Sequence, residues 1–100
     1  MNINEISEAF SSKLRLAIIS SLVNQNMVFS DLKEATGATD GNLSVQLKKL
    51  NNWGFINTKK VRYMDKLLTS YSLTKNGKTE FENYVLLLES ILKKEGEEKE

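Results

Sequence analysis

One hundred residues suit a single domain, long enough to bury a core and too short to divide into two. Hydrophobic residues make up 40% and charged residues 27%, a balance typical of soluble globular chains. The sequence has no cysteine and no histidine, which removes disulfides, thiolate and imidazole metal sites, and most general bases.

The net charge of +1 hides an asymmetry. Between positions 55 and 79, six cations (Lys59, Lys60, Arg62, Lys66, Lys75 and Lys78) face Asp65 alone, whereas positions 80–100 carry three lysines and seven glutamates. For a polyanionic partner the local field matters more than the sum. Met1 to Phe10 is polar, carries Glu5 and Glu8, and lacks a signal-peptide pattern. The apolar run Val85 to Leu88 is far below the ~20 residues of a membrane span. The expected location is cytoplasmic, with no membrane contact.

Ile3, Ile6 and Phe10 recur at helical spacing behind Asn2 or Asn4, which predicts a short capped helix. Ser11 or Ser12 caps the next, with Leu14, Ala17, Ile18, Leu22 and also Ile19 as its apolar stripe, and a stop near Asn24 to Asn26. Met27-Val28-Phe29 has room only for a small strand or an extended bridge. Ser30 is the expected N-cap of a brief helix, with Asp31 and Glu34 at its positive end, Leu32 and Ala35 inward, and Gly37 as its stop. Thr39 or Asp40 then caps a helix whose first turn holds Gly41 and Asn42 and whose core side is Leu43, Leu47 and Leu50. Trp53 closes it and Gly54 supplies the left-handed residue beyond. Phe55 to Arg62 and Thr69 to Thr74 have strand composition, with Tyr63 to Leu68 as the tip between them. Thr74 caps a long final helix ending near Lys94, and residues 95–100, with Gly96, read as a frayed tail.

These elements carry a family resemblance. Ser30-Asp31-Leu32-Lys33-Glu34-Ala35-Thr36-Gly37, Thr39-Asp40-Gly41-Asn42-Leu43-Ser44, Leu47-Lys48-Lys49-Leu50, Trp53-Gly54-Phe55-Ile56 and Tyr71-Ser72-Leu73-Thr74 with Gly77 resemble winged-helix regulators of the MarR/ArsR type. The resemblance covers roughly residues 11–92. It implies an α+β, mostly α fold: a single winged helix-turn-helix domain over 1–100. Residues 30–54 form the helix-turn-helix, 55–74 a two- to three-stranded wing, and 1–10 and 75–94 the dimerisation helices.

The residues support the same reading directly. With Leu43, Leu47 and Leu50 turned inward, the opposite face presents Gly41, Val45, Lys48, Lys49 and Asn52, flanked by Asn42, Ser44 and Gln46. Side chains in the N-terminal half of such a helix reach base edges in the major groove, and Asn or Gln pairs with adenine through two bonds. Lys48 and Lys49 lie later, where phosphates are within reach. Lys59, Lys60, Arg62 and Lys66 make the hairpin cationic, and Arg62 is the candidate for minor-groove insertion. The expected DNA-binding set is Ser30, Thr39, Asp40, Gly41, Asn42, Ser44, Val45, Gln46, Lys48 and Lys49, with Lys59, Lys60, Arg62 and Lys66 on the wing. Related wings usually carry glycine and arginine at the tip. The apolar Tyr63-Met64-Asp65-Lys66-Leu67-Leu68 points instead to a short flap, or to one packed on a partner.

In the last helix Phe81, Tyr84, Val85, Leu87, Leu88, Ile91 and Leu92 span about 160° at 100° per residue, wider than the ~100° stripe that one core requires. A homodimer is the expected use of that surplus, through Ile3, Ile6, Phe10, Tyr84, Leu87, Leu88, Ile91 and Leu92. The expected function is a dimeric transcriptional regulator, a repressor, bound to a palindromic double-stranded operator. No catalytic residues, cofactor or metal are expected. The alternative is a winged-helix module that binds a protein through the same helix or through Leu67-Leu68. An enzyme is the weakest reading, since no reaction centre assembles from these residue types. Metal-sensing relatives rely on thiolates or imidazoles that this chain lacks, and no residue pattern marks an effector.

Overall fold

The computed structural model describes the backbone of residues 3–98 and the side chains of residues 4–93. Two 3-10 turns, Ile3–Glu5 and Glu8–Phe10, precede α1 (Lys13–Ser21), β1 (Met27–Val28), α2 (Phe29–Thr36), α3 (Asp40–Asn52), β2 (Ile56–Tyr63), β3 (Lys66–Leu73) and α4 (Lys75–Glu98). The strands form one antiparallel sheet in the order β1-β3-β2.

The N-terminal segment differs from the single helix expected over 1–10. Ser7 interrupts it, because its hydroxyl accepts from the Ala9 N–H at 3.2 Å and starts a second tight turn. That turn delivers Ala9 and Phe10 into the core. The backbone of Met1 and Asn2 and the side chain of Ile3 lie outside the described residues.

Helix α1 starts on Ser12, whose hydroxyl accepts from the Arg15 N–H at 3.2 Å. It ends at Ser21, earlier than the Asn24–Asn26 stop. Ile18, Ile19 and Leu22 are buried, while Leu14 and Ala17 are half-buried. Helix α2 is capped at Val28 rather than Ser30, without a side-chain bond. The two-residue pairing of β1 with β3 ends there, and the chain turns straight into the helix. Ser30 therefore sits within the first turn. Its buried direction runs through Phe29, Leu32 and Thr36, leaving Ala35 exposed instead of inward. Gly37 ends it at φ 70, and Gly54 follows α3 at φ 79, both in the left-handed region that glycine enters without strain.

Leu43, Leu47 and Leu50 of α3 join Ile18, Ile19, Leu32, Phe55 and Ile56 in one apolar cluster. Each such burial is worth about 1.5–3 kcal/mol, so the leucine triad locks the rotation of α3 about its own axis.

The wing also differs from expectation. There is no six-residue tip: Tyr63 pairs with Lys66, and Met64-Asp65 alone makes the turn at φ 49 and 64. Two successive positive φ values match the twist of the flanking strands, which is why two-residue hairpins adopt them. Asparagine or glycine usually fills these positions, and the missing signal made the tip look longer. The flap is accordingly not short, since each strand runs eight residues.

Helix α4 is fastened by Thr74. Its hydroxyl donates to the Gly54 carbonyl at 2.6 Å and accepts from the Gly77 N–H at 2.8 Å. Gly77 is buried so close to Phe55 that a Cβ there would overlap the Phe55 carbonyl oxygen. The helix continues through Gly96 to Glu98, past the expected end near Lys94, so 95–98 are helical and not a tail. Lys99 and Glu100 lie outside the described residues. Among the described residues no helix is long and apolar enough to cross a membrane.

Candidate nucleic-acid interface

Thr39 opens α3 by accepting from the Asn42 N–H at 3.2 Å, and Asp40 reaches back to Lys33 of α2 at 2.9 Å. Both groups of that ion pair are largely solvated, so it contributes at most about 1 kcal/mol. It nonetheless bridges the two helices of the helix-turn-helix. Beyond it the outer face of α3 is open: Gly41, Asn42, Ser44, Val45, Lys48, Lys49 and Asn52 are all exposed, and Gln46 is half-buried. Ser30 is exposed on the first turn of α2.

The wing stands beside this face. The Thr58 hydroxyl donates to Asn51 Oδ1 at 3.4 Å, joining β2 to the end of α3. Ser44, Leu47, Lys48, Asn51, Thr58 and Tyr71 line a cleft of about 240 Å³ between helix and sheet. Because side chains alternate across a strand, Lys60 and Arg62 share the face of Ile56 and Thr58, on the α3 side. Lys59 and Lys66, the latter opposite Tyr63, belong to the other face. Lys60 Nζ donates to Thr69 Oγ1 of its cross-strand partner at 2.7 Å. The four wing cations are exposed, but they divide in pairs between two faces and do not form one stripe. The tip is apolar, with Tyr63, Met64 and Leu67 exposed and Met64 the most so at 79%.

The residues expected at a dimer interface separate into two groups. Phe10 is only 7% exposed and belongs to the protomer's own core, which corrects its placement on an outer surface. Ile6 and Tyr84 pack against that core as well. Leu87 and Ile91 are half-buried, whereas Leu88 and Leu92 are exposed, Leu92 at 70%. Val85 and Leu86 extend the uncovered apolar surface of α4. Leu86 lies off the expected stripe and is 59% exposed among the described residues.

One residue of the site escaped the sequence reading. Arg15 is 8% exposed, and its guanidinium donates to Gln46 Oε1 of α3 at 2.8 Å, to the Glu8 carbonyl at 3.0 Å and to Ser11 Oγ at 3.0 Å. It also lies 5.3 Å from the Trp53 ring centre, within range of a cation–π contact. Its position was a legible signal, since Arg15, Ile18, Ile19 and Leu22 share one helical face. A charged residue on a buried stripe has a task.

Comparison with known proteins places this arrangement. A family model described as a winged helix DNA-binding domain matches residues 14–92. A functionally uncharacterised protein of Methanocaldococcus jannaschii is 38% identical over 77 residues, covering 76% of this chain and 84% of its own. A candidate MarR-family transcriptional regulator from Enterococcus faecalis superposes with a TM-score of 0.79 at 19% identity, over 95% of this chain and 89% of that one. A homodimeric winged helix-turn-helix DNA-binding domain from Mycobacterium bovis, described as an ArsR-family candidate, gives 0.72 at 18% identity, over 90% and 81%. At these identities the two structures speak for the fold alone. The family match spans most of the chain, and with that fold the protein belongs to the winged-helix DNA-binding domain family.

Proposed function

We propose that this protein is a dimeric, sequence-specific reader of double-stranded DNA that acts as a repressor. The observation that carries the reading is the outer face of α3. Asn42, Ser44, Val45, Lys48 and Lys49 are left uncovered by every other element, while three leucines hold the opposite side in the core. A helix so anchored can enter a major groove without rearrangement, with amide and hydroxyl groups early and lysines late along its length. Lys60 and Arg62 on the α3 side of the wing supply further phosphate contacts or minor-groove insertion.

Dimerisation is supported by the exposed Val85, Leu86, Leu88 and Leu92 on α4, an apolar surface that a second copy would cover. The Mycobacterium bovis domain with this fold is homodimeric, which favours the same assembly. Two copies present two reading helices to a palindrome whose half-sites lie about 10 base pairs apart. Repression needs nothing beyond occupancy, since a bound dimer excludes other proteins from the same stretch of duplex.

Selection of bound sequences from random duplex DNA tests the reading. A palindromic consensus is expected; failure to enrich any duplex at low ionic strength rejects it. A second reading, a protein-binding module, is favoured by the exposed apolar tip of Tyr63, Met64 and Leu67. It predicts tight protein binding that survives removal of the α3 lysines, with no salt-dependent affinity for DNA.

A further inference from the structure

Arg15 is a buried cation. Among the described residues no carboxylate forms an ion pair with it, and its Nε has no hydrogen-bond partner. Its neighbours are a carbonyl, a hydroxyl, an amide oxygen and an indole face. Enclosing a charge among neutral acceptors is an expensive way to fill space, and an apolar side chain of similar volume commonly serves stability as well or better. Contact with the reading helix suggests what the charge is for.

A guanidinium has donors and no acceptor. The Gln46 atom that faces it at 2.8 Å is therefore the amide oxygen, and the orientation of that amide is fixed by chemistry. Gln46 Nε2 lies on the other edge, 3.5 Å from Asn42 Oδ1 on the exposed side of the helix, at the outer limit of a hydrogen bond.

We propose that Arg15 is a positioning residue that sets base preference: by holding the Gln46 oxygen toward α1 it leaves that side chain as a donor only. The proposal rests on the DNA-reading role above and deepens it. A free glutamine recognises adenine by accepting from N6 and donating to N7. With its oxygen turned toward α1, Gln46 presents its NH2 edge to the exposed side, and that edge cannot accept from adenine N6 or cytosine N4. What remains matches an acceptor edge best, guanine O6 and N7 or thymine O4; adenine offers N7 alone beside its N6 donor, and cytosine offers no acceptor. At the base that it meets, the protein selects keto bases over amino bases. This replaces the adenine pairing expected of Gln46 from sequence.

The test compares selected-sequence profiles of the wild type, Arg15→Met, Arg15→Lys and Gln46→Glu, with folding checked by circular dichroism. In the wild type one column of each half-site should favour guanine or thymine. Arg15→Met frees the amide to rotate, so that column alone should broaden toward adenine and cytosine, its preference falling at least about five-fold. The salt slope should not change, because Arg15 is buried and meets no phosphate. Arg15→Lys keeps a donor and should retain part of the preference. Gln46→Glu directs an oxygen to Arg15 and removes the amide donor, so the keto preference should vanish or invert.

A folded Arg15→Met that loses affinity equally for all sequences, with the column intact, overturns the proposal. Should Arg15→Met fail to fold, an unchanged column in Gln46→Glu overturns it equally. A wild type that enriches no duplex defeats the DNA-reading role itself, and that outcome is visible before any variant is compared.

Discussion

The ring of Phe10 lies flat against that of Tyr84, with centroids 4.6 Å apart and planes 10° from parallel. The same ring meets Phe55 nearly edge-on at 5.8 Å and Phe81 at 6.0 Å. A three-residue turn thus clamps the start of α4 to the base of the wing. Such aromatic pairs contribute about 0.5–1.5 kcal/mol each beyond the area they bury. Phe10→Ala should lower unfolding stability by about 3–5 kcal/mol in urea denaturation. A loss below about 1 kcal/mol would show that this turn is dispensable to the core.

Gly77 gives a second stability prediction with a counterintuitive sign. Alanine is the better helix former by about 1 kcal/mol. At this position, however, its Cβ would overlap the Phe55 carbonyl oxygen, which is backbone and moves only with the wing. Gly77→Ala should therefore destabilise, by about 1–3 kcal/mol as for other overpacked sites. A rise in the melting temperature would disprove the close approach of α4 to Phe55.

On duplex DNA the two kinds of contact should separate. Asn42→Ala should change the preference among bases, costing about 1–3 kcal/mol at the selected site. Lys48→Ala, Lys60→Ala and Arg62→Ala should weaken all duplexes alike, each reducing the salt slope by about one. Lys60 already bonds Thr69, so its variant also reveals whether that bond yields to a phosphate. Uniform loss on every sequence from all four changes would leave Asn42 without a reading role.

Leu88→Glu places a charge on the exposed apolar side of α4 and should leave the protomer's core intact. Sedimentation should then show monomers for the variant and dimers for the wild type. An unaltered assembly state in the folded variant would exclude this surface as the interface.

Tyr71 provides the pH dependence. Burial disfavours the charged phenolate and raises this group above 10.0. Once the pH passes the unfolded value, an unfolded chain releases the proton while the native state still holds it. Stability then falls as pH rises, and the contribution is fully present below that point. Between about pH 9 and about pH 11, the urea midpoint of Tyr71→Phe should decline less than that of wild type. Equal declines would mean that Tyr71 is as solvated folded as unfolded.

Local chemistry made most of the architecture legible in the amino-acid order. The leucines at 43, 47 and 50, the hydroxyl of Thr39 and the glycines at 37 and 54 each act within one turn of their own position. These signals defined the helix-turn-helix and the hairpin that follows it. Elements lacking such a signal were misplaced. Met64-Asp65 adopts a turn that asparagine and glycine normally announce, and Ser7 splits a segment whose apolar spacing alone reads as one helix.

Tertiary structure decided what depends on residues far apart in the chain. Arg15 and Gln46 are separated by 31 positions, and only the packing of α1 on α3 turns the glutamine's oxygen inward. Phe10, apolar and near a terminus, is equally suited by composition to a partner's surface or to its own core. The packing of Phe55, Phe81 and Tyr84 around it settles the choice. The sequence therefore determined the elements, because caps, turns and periodicity are short-range forces. Folding determined which side chains remain available to a ligand, because burial and amide orientation depend on whatever arrives from elsewhere in the chain.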